Sequence, residues 1–315
     1  IPEGLESKKG LGGLNVTLIG GNFVSWYGGF DSYIVAQEFG EDIFAPSMGR
    51  KIDREDEMDI QHLPYMTWVE WIKNHTNAGF AAACNLGAQN ISNRWLLFLN
   101  PDTRLPKDCL QTLIPYCDQH PDFHLITIKQ LSESGKNTHP YGIFPNIWNS
   151  AGLLRSIERL ILHPDQTKKA MAKNPIAFPQ WISGSFVMMH KEHFDLIGGW
   201  DDRFWMYCED IDLSKRAAEA KLSRVLLNEW ECLHSHGVSS RSNLETKIKT
   251  KAAVIKSTHI YIEKHFLGNN KKWAHRWLKF HKIVELYMLS FIDSSKREIL
   301  KVLIPFWREL FSKGF

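Results

Sequence analysis

Three carboxylates fall within four positions, at Glu209, Asp210 and Asp212, directly behind the aromatic run Phe204-Trp205-Met206-Tyr207. Acids crowded this closely repel one another. They are kept where a metal, a basic group or a shared proton compensates them, and perturbed acids of this kind are typical of catalytic sites. The same residues suit the first turn of a helix through Leu213, Arg216, Ala217 and Ala220, where the macrodipole favours negative charge. Both readings can hold, since a helix start can present one acid at the mouth of a cleft. Two further polar groups stand out: Asn100-Pro101-Asp102-Thr103, and the pair His234 and His236. Alone, Asp102 reads as a turn residue and each histidine as a structural group. Together they offer hard oxygen and imidazole ligands at strand ends, suited to a divalent cation such as Mg²⁺ or Mn²⁺.

The elements that must position these groups follow from the apolar pattern. Leu14–Ile19 reads as a strand closed by Gly20-Gly21-Asn22, which lacks the G-x-G-x-x-G spacing of a dinucleotide site. Asn77 to Gly87 reads as a loop leading into a helix of small residues. Trp95–Leu99 is a continuous apolar run, expected of a strand buried on both faces, and it ends abruptly at Asn100, where open α/β sheets place ligands. A helix over 108–116, strands over 124–128 and 181–190, the acid helix and a strand over 224–227 complete an alternating α/β pattern. Residues 131–179 lose periodicity and read as an irregular insertion with a short helix near 153–162.

The bulk composition narrows the partners. The chain has 315 residues and a net charge of +3, which implies no nucleic acid or other global polyelectrolyte. Five cysteines without a C-x-x-C pair argue against a disulfide framework and a thiolate zinc site, and point to a reducing compartment. The charge is uneven: from Leu244 to Phe315 there are 15 Lys/Arg and 6 Asp/Glu, a net of +9, leaving −6 for residues 1–243. There Lys271-Lys272-Trp273, Arg276-Trp277 and Lys279-Phe280, then Ile299-Leu300, Leu303-Ile304 and Phe306-Trp307, interleave basic and apolar residues at helical spacing. Such helices suit a membrane interface as well as ordinary packing, and the concentrated positive charge favours the membrane. No apolar run reaches the roughly 18 residues of a bilayer span.

The ordered series Asn77-x-Gly79-Phe80, Asn85-x-Gly87, Leu97-Phe98-Leu99-Asn100-Pro101-Asp102-Thr103, Gly184-Ser185-Phe186, Gly198-Gly199-Trp200-Asp201, Phe204-x-Met206-Tyr207-Cys208-Glu209-Asp210-Ile211-Asp212-Leu213 and His234 to Arg241 resembles glycosyltransferase family 2. Within it, the series is most similar to bacterial rhamnosyltransferases of O-antigen and cell-wall polysaccharide assembly. The resemblance implies a GT-A type, Rossmann-like fold, with a mostly parallel sheet flanked by helices over 1–243 and a basic helical region over 244–315. It also implies an inverting single displacement from a nucleotide-diphosphate sugar, with a divalent metal. Carried onto this chain, it makes Asp210 the catalytic base with Glu209 beside it, and Asp102 a metal ligand with His234, or alternatively His236. Asn77, Gly79, Asn85, Asn100 and Asp102 fall on the donor side, and Trp181, Gly184, Tyr207 and Glu209 on the acceptor side. The family's second N-terminal nucleotide motif has no clear counterpart here.

The function expected is transfer of a sugar, rhamnose favoured, from dTDP-rhamnose or a UDP-sugar to a lipid-linked surface glycan on the cytoplasmic face of the membrane. The alternative is a non-catalytic glycan-binding or scaffolding subunit of the same fold, which nucleotide-diphosphate binding separates from an enzyme.

Overall fold

The apolar run at 95–99 becomes a strand whose alternating residues feed two cores. The computed structural model describes residues 16–20 and 43–44 as strand backbone, together with residues 78–89, 91, 93–100, 103–106, 109–146, 171–234 and 244–312. Strands β1 (Val16–Gly20), β2 (Ile43–Phe44), β3 (Trp95–Leu99), β4 (Thr103–Leu105), β5 (Leu125–Leu131), β7 (Ile176–Ala177), β9 (Phe186–His190) and β10 (Arg224–His234) form one sheet, and β6 (Tyr141–Gly142) pairs with β8 (Trp181–Ile182). Side chains alternate across a strand. Trp95, Leu97 and Leu99 therefore pack on one face with helix α2 (Cys109–Asp118). Leu96 and Phe98 pack on the other with helices α1 (Phe80–Ala88) and α4 (Glu209–Glu219) and the short α3 (Lys191–Leu196).

The sheet order is β1-β3-β9-β5-β10-β4-β2. β1 pairs parallel with β3 and β10 parallel with β5, while β9 lies antiparallel to both β3 and β5. The α/β architecture with flanking helices is the expected one; the pairing within it is mixed, with β9 reversed at the centre. β1, β3, β5 and β10 run the same way, so their carboxyl ends share an edge with the start of β9. The strand expected over 181–190 is two strands, broken at Ser183–Ser185, and that break faces the shared edge. The strand expected over 224–227 continues to His234 through an irregularity in register between Leu227 and Glu231. The helix expected near 153–162 lies outside the described residues.

The chain divides into two compact units. The first comprises Ile1–Gly142, Met171–Asp202 and Glu209–His236; the second comprises Ile143–Ala170, Arg203–Cys208 and Gly237–Phe315. The second contains α5 (Leu244–His265), α6 (Gly268–Leu289) and α7 (Ser294–Ser312). Their core holds Ala252, Ile255, Leu286, Ile299, Leu303 and Trp307. A buried polar chain also joins them. Trp307 Nε1 donates to His259 Nε2 (2.9 Å), His259 Nδ1 faces His275 Nδ1 (2.8 Å), and His275 Nε2 meets Glu263 Oε2 (3.1 Å). Only one proton arrangement satisfies the whole chain: His259 carries its proton on Nδ1 and His275 on Nε2, both rings neutral.

Candidate functional site

Asp210 enters the site as the second residue of α4, behind two residues in the left-handed region, Tyr207 (φ 70°) and Cys208 (φ 67°). Consecutive non-glycine residues there are strained, and such strain concentrates at functional sites. Asp210 Oδ2 accepts the Gly184 N–H (3.2 Å) and Oδ1 accepts the Ile211 N–H (2.8 Å). These bonds favour the carboxylate, but burial outweighs them and pushes its pKa up. A Cβ on Gly184 would come within 3.3 Å of the Phe80 ring and 3.6 Å of Asp210 Cβ, so the glycine lets the β9 break approach the acid closely.

Glu209 differs from its neighbour. Its side chain is buried, Oε2 has no hydrogen-bond partner among the described residues, and burial, then the charge of Asp210, push its pKa well up. The nearby Cys84 thiol is also pushed up, by burial and then by Glu209. When the acid pair carries one charge, Glu209 is the member that keeps a proton, which leaves Asp210 ionised. Asp212 is fully buried and receives the Arg216 guanidinium (2.8 Å), while Arg216 Nη1 also bonds the Ile197 carbonyl. It is the helix-start acid of the sequence reading.

A second set of groups converges from the strand ends. The Asn100 N–H donates to the Ser185 carbonyl (3.0 Å), tying the end of β3 to the start of β9. Ser185 Oγ donates to Gln130 Oε1 (2.9 Å), and the same oxygen lies 2.9 Å from His234 Nδ1. That contact fixes the orientation of the His234 ring. Thr103, which follows Asp102 in the chain, is the β-sheet partner of His234. Gly184, Asp210, Asn100 and His234 are thus joined through Ser185 and Gln130. Gln130 was missed in the sequence, where it is one of three polar residues in β5, beside Thr127 and Lys129, and nothing local sets it apart.

The remaining expected residues fall elsewhere. Gly79 has φ 93° and ψ 175°, a conformation open essentially to glycine, and caps α1. Asn85, expected on the donor side, has both ends of its amide engaged by the Trp200 backbone: Nδ2 donates to the carbonyl (2.7 Å) and Oδ1 accepts the N–H (2.9 Å). It therefore fixes the Gly199–Trp200 turn against α1. Trp181 is half-buried in β8 and lies over Gly142. Tyr207 belongs to the second unit. Asn77, Asp102 and His236 lie outside the described residues.

Gly199 has φ +67°, and a Cβ there would stand 2.8 Å from Asn85 Oδ1. Gly199→Ala is expected to lower stability by about 1–3 kcal/mol, combining left-handed strain with loss of the Asn85 clamp, as read by urea unfolding. An unchanged midpoint would show that the turn yields freely.

The parallel strand ends of an α/β sheet thus present an aspartate held by two backbone N–H groups and a histidine bonded to Gln130. Residues 65–179 match the model of the family described as Glycosyl transferase family 2. It is similar to the rhamnosyltransferase WbbL of Escherichia coli (strain K12), 26% identical over 189 residues, covering 59% of this chain and 68% of that protein. It is also similar to the N-acetylglucosaminyl-diphospho-decaprenol L-rhamnosyltransferase of Mycobacterium tuberculosis (strain ATCC 25618 / H37Rv), 24% identical over 179 residues, covering 53% of this chain and 54% of that protein. The chain thus spans about half the length of the mycobacterial relative. A solved structure, GalNAc-T7 with UDP, GalNAc and Mn²⁺, aligns with 71% of this chain and 47% of its own at 12% identity and a TM-score of 0.44. Gly184, Asp210 and His234 lie beyond the segment matched by the family model.

Proposed function

We propose that the protein transfers a sugar, rhamnose favoured, from a nucleotide-diphosphate donor to a hydroxyl of a lipid-linked surface glycan, with inversion and with a divalent metal. The observation that carries this reading is Asp210, a carboxylate held by two backbone N–H groups at the ligand edge of the sheet and made more basic by burial. In the reaction the acceptor oxygen bonds to the anomeric carbon, the carbon–oxygen bond to the diphosphate breaks, and Asp210 takes the hydroxyl proton. Glu209 acts through Asp210, since its burial keeps it from a bulky acceptor. Gly79, Asn77 and Asn100 are assigned to the donor side.

The residues fit a divalent ion on one observation: His234, its ring oriented by Gln130, pairs in the sheet with Thr103, which follows Asp102 in the chain. Asp102 and His234 are the ligands proposed. The ion, Mg²⁺ or Mn²⁺, would supply positive charge against the departing diphosphate. A screen of dTDP-, UDP- and GDP-sugars against a lipid-linked acceptor tests the function. Consumption of dTDP-rhamnose that stops with EDTA is expected; no turnover of any donor with either metal would refute the transferase reading.

Membrane attachment is proposed through α6. Trp273, Phe280, Val284, Tyr287 and Met288 recur at helical spacing and are all exposed, and the stripe continues into exposed Phe291 and Ile292. It runs about 22 Å along the helix, and exposed Lys272 and Arg276 flank it. An aromatic stripe with basic neighbours in a region of net +9 suits an anionic bilayer surface on the cytoplasmic side. α7 was expected to contribute, but it buries Ile299, Leu303 and Trp307 in the helical core. No described helix is long and apolar enough to cross a membrane. Serine at Trp273, Phe280, Tyr287 and Phe291 together is expected to abolish flotation with vesicles containing phosphatidylglycerol. Undiminished flotation of that variant would remove the face from this role.

A further inference from the structure

β9 begins at the catalytic edge and ends about 14 Å away, at the opposite edge of the sheet. Its last residue, His190, meets Glu192 and His193 of α3 there. His190 Nδ1 lies 3.5 Å and His193 Nε2 3.7 Å from Glu192 Oε1, and the three atoms all lie within 4.8 Å of one another. These spacings exceed an ordinary N–H···O bond of about 2.7–3.2 Å. They approach the ligand-to-ligand edge of a tetrahedral zinc site, about 3.3–3.4 Å for bonds near 2.0–2.1 Å.

We propose that His190, Glu192 and His193 form a second metal site, selective for transition ions of the zinc class and separate from the site at the catalytic edge. Two imidazoles and one carboxylate are a zinc-type donor set, softer than the oxygen-dominated sets that Mg²⁺ and Ca²⁺ favour. The lack of paired cysteines counts only against a thiolate site.

The histidines are pre-positioned. The His190 ring packs edge-on against Trp95 (centroids 3.8 Å apart) and lies nearly parallel to His193 (5.4 Å, 17°), while His124 packs against His193 (4.7 Å). Burial, then Arg94, holds His190 below the usual histidine range, so its ring is neutral and able to ligate. Arg94 is itself paired with Asp118 (3.1 Å), which moderates its repulsion of a cation. His190 Nε2 and His193 Nδ1 have no hydrogen-bond partner among the described residues, so neither ring is committed to another acceptor. Glu192 is largely exposed, which leaves the ion an entry path and room for a water as fourth ligand. A metal here would fasten the end of β9 to the start of α3 and stabilise the fold by mass action.

Calorimetric titration with Zn²⁺, in saturating Mg²⁺ to occupy the catalytic edge, tests the site. One equivalent of Zn²⁺ is expected, with a matching rise in Tm. His193→Ala and Glu192→Gln should each weaken binding by more than the roughly 10–100-fold typical of losing an outer-shell partner. Transfer measured with Mg²⁺ alone should be unchanged in both. Glu192 is exposed, so Glu192→Gln keeps the fold even if His193→Ala does not. No Zn²⁺ uptake by the wild-type protein, or equal uptake by Glu192→Gln, would overturn the assignment.

Discussion

Asp210→Asn is expected to reduce sugar transfer by about 10²–10⁴-fold, the usual contribution of a positioned general base, while the protein stays folded. Asparagine has one acceptor oxygen where aspartate has two, so either the Gly184 or the Ile211 N–H loses its partner, at a cost of about 1 kcal/mol. Removing a negative charge beside Glu209 offsets part of that loss. Glu209→Gln should behave differently. If Glu209 already holds the shared proton, its amide leaves the charge state nearly unchanged, and transfer should fall by less than about tenfold with the acid limb of the pH profile in place. That limb should lie above the ordinary aspartate range, because burial raises Asp210 and only the ionised form accepts the proton. Transfer rates of the two variants against pH, with circular dichroism as the fold control, decide the assignment. An active Asp210→Asn with an inactive Glu209→Gln would exchange their roles.

Acidification is expected to weaken the helical unit. His259 is buried and held at about 3, first by desolvation and then by the charges of His275 and Lys279; His275 is also held low. In the unfolded chain a histidine takes up its proton near pH 6.5. The stability contributed by keeping His259 neutral is therefore complete above pH 6.5 and is lost progressively down to about pH 3. The slope for one such group is about 1.4 kcal/mol per pH unit, so a fall from pH 6.5 to 5 removes about 2 kcal/mol through His259, and His275 acts in the same direction. Geometry gives the same sign: a protonated pair would set two N–H donors against each other at 2.8 Å. His259→Leu should be less stable at pH 7.5, since the Trp307 N–H loses its acceptor, but flatter with pH. Urea unfolding at pH 7.5 and 5 separates the slopes; identical slopes in both proteins would place the acid sensitivity elsewhere.

Much of this architecture is legible in the chain. The run Trp95–Leu99 announces a strand covered on both faces because no position in it is polar, and the acids at 209–212 announce a helix start because only that geometry favours them locally. What the sequence hides are pairings made at long range. Asn85 looks like a ligand residue until Trp200, 115 positions away, engages both ends of its amide. Gln130 orients His234 across 104 positions, and no local pattern marks it. α7 has the amphipathic pattern of a surface helix, yet its apolar stripe meets α5 and α6, whereas α6 leaves its own aromatic stripe uncovered. Periodicity shows that a helix has an apolar face; it does not say what that face meets.

The reversed strand at the centre of the sheet also sets the order in which the chain can mature. β9 lies between β3 and β5, yet it is made roughly ninety residues after β3. β5 gains β9 at that same point and its other neighbour, β10, later still. At synthesis rates of about 5–20 residues per second, the nascent chain carries the open edges of β3 and β5 for several seconds. The ligand edge, which needs the start of β9, the start of α4 and the end of β10 together, can form only when some 230 residues have emerged.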